Sequence, residues 1–229
     1  MSIIIDMDQR FSSTKVISTE EIRAAFAQEF DSEFMEDTVR CLFACYKAAA
    51  QHCRDNFPRE EAHDLLPIYR RALIEKEWRA LAERYSNVRA VTVANEVGSS
   101  FASRISTGRM ILTVCAVDSP GAMFRDAEFR KNLARDNQFG LFESPEALVS
   151  DPRYFGVLLH GPDALDASRP AFANVAFPSA DCTRYIANLA LFRICEPVVD
   201  SLTKDQQEYV ELEPEVKLRP QAKAANHGA

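Results

Sequence analysis

Three carboxylates, Glu96, Asp118 and Glu128, with Lys131 close behind the last, could hold a divalent cation and stabilise developing charge in a hydrolytic reaction. Metal-dependent nucleases set such acids on adjacent strands, with the final acid and a lysine two residues apart. Here Glu128 and Lys131 are three apart in a predicted helix, the spacing of a solvated ion pair. A divalent-metal nuclease or hydrolase centred on Glu96 and Asp118 therefore stands as an alternative function, and no metal site is expected from the spacing itself.

A second chemistry resides in the positive charges Arg104, Arg109, Arg125, Lys131 and Arg135, with Arg130 among them. Presented together they would contact phosphates, and the chain would be a nucleic-acid-binding accessory protein. On a helical wheel Lys131 and Arg135 share a face, with Glu128 between the grouped positives. Arg125 lies some distance round, and Arg130 points away, beside Met123 and Ala134. No aromatic residues alternate with these charges to stack on bases.

His160, Cys182, Asp163 and Asp181 flank the ends of predicted strands and include the types needed for thiol catalysis, a thiolate beside an oriented imidazole. No local signature surrounds Cys182, and a turn histidine with a buried thiol is the plainer expectation. Cys41 and Cys45, at i and i+4, could share a metal ion, but His52 is two turns further, roughly 10 Å along the axis, and cannot complete the site. These cysteines read as core packing. Seven scattered glycines form no GxGxxG or GxxxxGK[ST] loop, and HExxH, GxSxG and EF-hand patterns are missing, so no cofactor is expected.

The elements that must position these groups begin with helices. Ser18-Thr19-Glu20-Glu21 predicts a capped start with Thr19 as N-cap, followed by Ile22, Phe26 and Phe30 on one stripe. A second helix is expected from about Ser32 to Phe57, its charged and amide residues confined to one narrow sector. So wide an apolar face belongs to a central helix or to a subunit interface. Pro58 starts a short helix and Pro67 a further one, on which Ile74, Trp78, Leu81 and Tyr85 form a stripe.

Strands are expected at 88–97, 101–105 and 110–117, with Ser106-Thr107-Gly108 as a hairpin turn, and again at 154–160 and 172–177. Asp118-Ser119-Pro120 predicts a helix to about Asn137, and Ser144-Pro145-Glu146 a short one ended by Asp151-Pro152. Residues 185–194 fit both periods, with a lean to strand. Helices first and mostly strands afterwards predict an α+β fold: an N-terminal helical layer on a mainly antiparallel sheet with inserted short helices. One compact domain is expected over 1–202, helical at 18–85 and strand-rich at 86–202, before a polar, largely disordered tail at 203–229.

Composition bounds the function. The chain has 229 residues, 47% hydrophobic and 27% charged, enough apolar surface for a soluble globular domain. The net charge of −7 is uneven: −4 over 1–85, +3 over 86–135 and −6 over 136–229, so only the middle segment suits a polyanion. Six cysteines without a CxxC read as free thiols in a reducing cytosol. No basic leader precedes Ile3-Ile4-Ile5, and no stretch nears ~18 uncharged apolar residues. A cytoplasmic location without membrane contact is expected. The leading expectation is a non-enzymatic binding or assembly protein that self-associates through its apolar helices as a homo-oligomer. The acidic tail, with Glu208, Glu211, Glu213 and Glu215, could dock on a basic protein partner.

Overall fold

A computed structural model describes residues 18–94, 101–135, 137 and 154–211, with side chains up to Lys204 in the last helix. Three helices come first: α1 (Thr19–Glu29), α2 (Ser32–Asn56) and α3 (Arg59–Ala82). Strands β1 (Arg89–Ala94), β2 (Phe101–Ser106) and β3 (Met110–Ala116) follow, then α4 (Glu128–Arg135). Strands β4 (Tyr154–Pro162), β5 (Pro170–Pro178) and β6 (Tyr185–Ala190) lead into α5 (Leu191–Ile194) and α6 (Glu196–Glu211). The six strands form one sheet in sequential order, every pair antiparallel except β3 and β4, which run parallel. The fold is α+β.

Ser18, not Thr19, caps α1. Its hydroxyl accepts from the Glu21 N–H at 3.1 Å and the Glu21 carboxylate accepts from the Ser18 N–H at 2.9 Å, a reciprocal box. Thr19 is unavailable because its hydroxyl donates to the Ile186 carbonyl of β6 at 3.0 Å. Ser18→Ala is expected to lower stability by about 1 kcal/mol, read as a lower urea midpoint with an unchanged slope.

α2 starts at the Asp31 cap, whose carboxylate takes the Phe34 N–H at 2.8 Å. Its wide apolar face is covered within the chain, by α3 on one flank, β5 beneath, and α5 and α6 on the other flank. Phe34, Val39, Leu42, Phe43, Tyr46 and Ala49 are all buried there. It is the central helix of the domain, and its apolar residues are spent on the core.

α3 departs from the expected two helices. Arg59–Ala82 is a single helix with Pro67 inside it. Proline removes an N–H and crowds the carbonyl four residues back. Both Pro67 and His63 lie on the exposed side, where a freed carbonyl meets solvent instead of the core.

The chain from Asp118 to Ala127 is irregular where a helix to about Asn137 is expected; only Glu128–Arg135 is helical. Two of its carbonyls serve other elements: Ala122 O accepts from the Tyr185 hydroxyl at 3.0 Å and Pro120 O from the Asn188 amide at 2.9 Å. The expected helix at Ser144-Pro145-Glu146 lies outside the described residues. Strand β4 runs two residues past His160, with Gly161 in close contact with the Val117 carbonyl, 2.5 Å from where a Cβ would sit. Residues 185–194 divide between the two periods they fit, strand to Ala190 and helical turn to Ile194. Helix α6 then carries the fold through Thr203 to Glu211; residues 212–229 lie outside the described residues.

Alternation along the strands gives the sheet two covered faces. Met110, Leu112, Val114 and Leu158 face α1–α3 in the larger core, around Trp78, Tyr46 and Phe30. Phe155, Val157 and Leu159 face the other way, under Phe124 of the irregular segment and Ala134 of α4. No helix among the described residues is long and apolar enough to cross a membrane.

Candidate functional site

The proposed carboxylate set is scattered. Glu96 lies outside the described residues, Asp118 is exposed after β3, and Glu128 is exposed on α4 at 3.9 Å from Arg135. Lys131 pairs with Asp126 at 2.7 Å and not with Glu128, so the spacing-by-three pair expected from the sequence is replaced by two others. Among the described residues, no group of three or more His, Cys, Asp or Glu could hold a metal ion.

The positive charges part company across the sheet. Arg104 rises from β2 toward α4, half-buried. Arg109, in the β2–β3 turn, reaches the other way to Gln28 of α1 at 3.2 Å. Arg125 is exposed, Lys131 and Arg135 are neutralised by Asp126 and Glu128, and Arg130 is buried.

His160 and Cys182 also sit on opposite faces. His160 is 3% exposed and faces α2, where the Tyr46 hydroxyl lies 2.8 Å from its Nδ1. Arg70 of α3 lies over the Tyr46 ring at 4.3 Å and donates to the Ala167 carbonyl at 2.9 Å. Burial, with Arg70 near, holds the His160 imidazole down to about 3, and burial pushes Tyr46 up to about 12. The cluster ties α2, α3 and β4 together. Cys182 occupies the β5–β6 turn with φ of 55°, packed against the smaller core, and burial with Asp181 nearby raises its thiol pKa. Asp163 and Asp181 are each engaged locally, with Arg169 and with Ser179 and Thr183.

Cys41 and Cys45 are free thiols with sulfurs 4.0 Å apart, and His52 stacks on Tyr69 at 4.4 Å, away from them. Their Cβ atoms, one helical turn apart, are about 5–6 Å from each other, too far for an unstrained disulfide.

Two features escape the sequence patterns. The first is the outer half of α3: no residue from Arg59 to Tyr69 is buried, although this stretch contains Leu65, Leu66, Pro67, Ile68 and Tyr69. Ile68 is 67% exposed. Three other large apolar side chains are exposed among the described residues near the ends of this helix segment in sequence or through its arginines: Phe57 before the helix, Phe101, whose carbonyl accepts from Arg71, and Leu165 in the loop that Arg70 holds.

The second is a fork in the sheet. The β2–β3 ladder covers only Arg104–Ser106 against Ile111–Thr113. The next pair in register would be Ser103 and Val114, and their backbone groups are taken by helices from opposite faces. The Ser103 N–H donates to the Glu75 carboxylate of α3, and the Val114 carbonyl accepts from Arg130 of α4 at 3.4 Å. Glu75 and Arg130 are 8% and 9% exposed. A cleft of about 280 Å³ opens beside the fork, between β1–β3 and α4. Of the two wedge residues only Arg130 carries a signal in the sequence: it falls beside Ala134 on the wheel, away from the other charges, whereas Glu75 stands among Arg71, Lys76, Glu77 and Arg79.

No protein-family model matches the chain, and neither a curated protein nor a solved structure matches it.

Proposed function

We propose that this chain is a non-enzymatic, cytoplasmic assembly protein that pairs with a second copy of itself through the outer half of α3. The supporting observation is the run Leu65-Leu66-Pro67-Ile68-Tyr69, held helical yet without one buried side chain. Apolar surface of that kind, with Ile68 the most exposed of the run, is what a partner covers. Six unbridged cysteines suit a reducing compartment.

Charge along the helix favours another copy of the same segment. Glu60, Glu61 and Asp64 precede the apolar run and Arg71 follows it. Antiparallel packing about a two-fold axis between Pro67 and Ile68 sets Asp64 of one copy opposite Arg71 of the other, twice.

Sedimentation equilibrium tests this. The wild-type chain is expected at twice its 25.8 kDa monomer mass in the micromolar range. Ile68→Glu should weaken association about 100-fold, because a charge would be buried at the centre of the interface. Asp64→Arg should weaken it as well, and Asp64→Arg with Arg71→Asp should restore it. A single 25.8 kDa species at high micromolar concentration would end the proposal.

A further inference from the structure

The cleft beside the fork is built from two kinds of surface. Val93, Ala102, Phe129 and Leu133 make its apolar walls, and Arg104, Thr113 and Asn132 supply its polar groups. Arg104 and Thr113 are directly opposite in the β2–β3 register, so both side chains leave the sheet on the α4 side. Thr113 is 1% exposed, and its hydroxyl has no hydrogen-bond partner among the described residues. A buried hydroxyl left unsatisfied costs about 1–3 kcal/mol, which a ligand acceptor would recover.

Charge sets the sign of that ligand. Among the described residues Arg104 carries no ion pair. Arg130 is buried, and among the described residues the Arg125 and Val114 carbonyls are its acceptors and the Phe124 and Phe129 rings lie against it. The carboxylates of α4 and its approach are committed elsewhere, Asp126 to Lys131 and Glu128 to Arg135. Glu75 lies on the far face, where its carboxylate takes the Ser103 N–H and the Arg79 guanidinium donates to the Ser103 hydroxyl at 2.6 Å. The α4 side is therefore left with net positive charge.

We propose that this cleft is a binding site for a small organic carboxylate. The acid group lies against Arg104, accepting from its guanidinium and from the Thr113 hydroxyl, with the Asn132 amide at the rim. The apolar body lies between Phe129 and Leu133 of α4 and Val93 and Ala102 of the sheet. A carboxylate fits better than a phosphate ester, because one planar, singly charged group matches one guanidinium fork and one hydroxyl. The volume is at the small end of ligand pockets and suits an aromatic or short aliphatic acid. This site is separate from the outer half of α3, so it stands or falls independently of self-association.

The test is an NMR titration of the ¹⁵N-labelled full chain with benzoate and hexanoate, each against its neutral amide. Both acids are expected to bind with Kd of about 1 mM, as fragments of this size do, and to shift the amides of Ala102, Arg104, Thr113, Asn132 and Leu133. Benzamide and hexanamide should bind at least about 10-fold more weakly. Arg104→Gln should remove that preference, and Thr113→Val, which keeps the shape, should weaken the acids by about 5-fold. The acid–amide comparison needs only the wild-type chain, so a variant that fails to fold leaves the test intact. Equal affinity for acids and amides would overturn the proposal, as would shifts confined to other residues or none up to about 50 mM.

Discussion

Between pH 7 and pH 4.5 the wild-type chain is expected to lose about 2.5 kcal/mol of folding free energy, while His160→Gln loses much less. His160 is 3% exposed, and burial with Arg70 near lowers its pKa to about 3 from an ordinary 6.5. In that window the unfolded chain binds a proton and the folded chain does not. Stability is therefore complete above pH 6.5 and falls by about 1.4 kcal/mol per unit as the pH drops toward 3. Protonation would place a second cation beside the Arg70–Tyr46 pair, whose tyrosine hydroxyl lies 2.8 Å from His160 Nδ1. Asp163 and Asp181, held below their usual range by their hydrogen bonds, lose their contributions only below about pH 4. Urea midpoints at half-unit intervals give the two slopes. Equal slopes would mean that His160 is not held neutral by the fold.

What the sequence reveals follows from where periodicity is strong. The stripe Ile74, Trp78, Leu81, Tyr85 and the Val- and Ile-rich runs at 110–117 and 154–160 each lie against one continuous apolar surface, so pattern and burial coincide. Pro67 misleads because a helix tolerates proline where its freed carbonyl faces solvent. Asp118-Ser119-Pro120 misleads because cap chemistry is local, whereas the carbonyls of that segment are claimed by Tyr185 and Asn188 more than sixty residues away. The parallel pairing of β3 with β4 is equally non-local.

The polar groups that matter most are hidden for a related reason. Arg70 stands four residues before Ile74 on the buried stripe of α3, and a cation in that position is itself a sign of an internal role. Arg130 is flagged only by pointing away from its charged neighbours. Neither position discloses its partner, because the partners are a tyrosine ring on α2 and a strand carbonyl at a fork. The run at 65–69 resembles core in any hydropathy pattern, and only the packing shows Pro67, Ile68 and Tyr69 exposed beside half-buried Leu65 and Leu66. The apolar face of α2, which from sequence alone suits an interface, is consumed by the domain itself.

The fork makes a second large effect. Glu75→Ala is expected to cost about 2–3 kcal/mol and to raise hydrogen exchange at the Ser103 amide far more than elsewhere in β2. Ser103 is fully buried, and its N–H has left the β2–β3 ladder for the Glu75 carboxylate. Alanine would strand that donor, which β3 cannot reclaim without closing the sheet over the helix. Glu75→Gln keeps an acceptor at the same reach and should cost under about 1 kcal/mol, which separates the lost acceptor from the lost charge. The other half of the wedge behaves differently. Arg130 is a buried cation with no carboxylate against it among the described residues, so Arg130→Met trades a desolvated charge for apolar packing between Phe124 and Phe129. That variant should be near neutral in stability, even though the Val114 carbonyl loses its 3.4 Å contact, because the contact is long and the desolvation cost it offsets is large. A large loss in Glu75→Ala beside a small one in Arg130→Met would show that the split ladder is held open from the α3 side. The reverse order would place the restraint on α4, and similar small losses would mean that the strands diverge for reasons of their own twist.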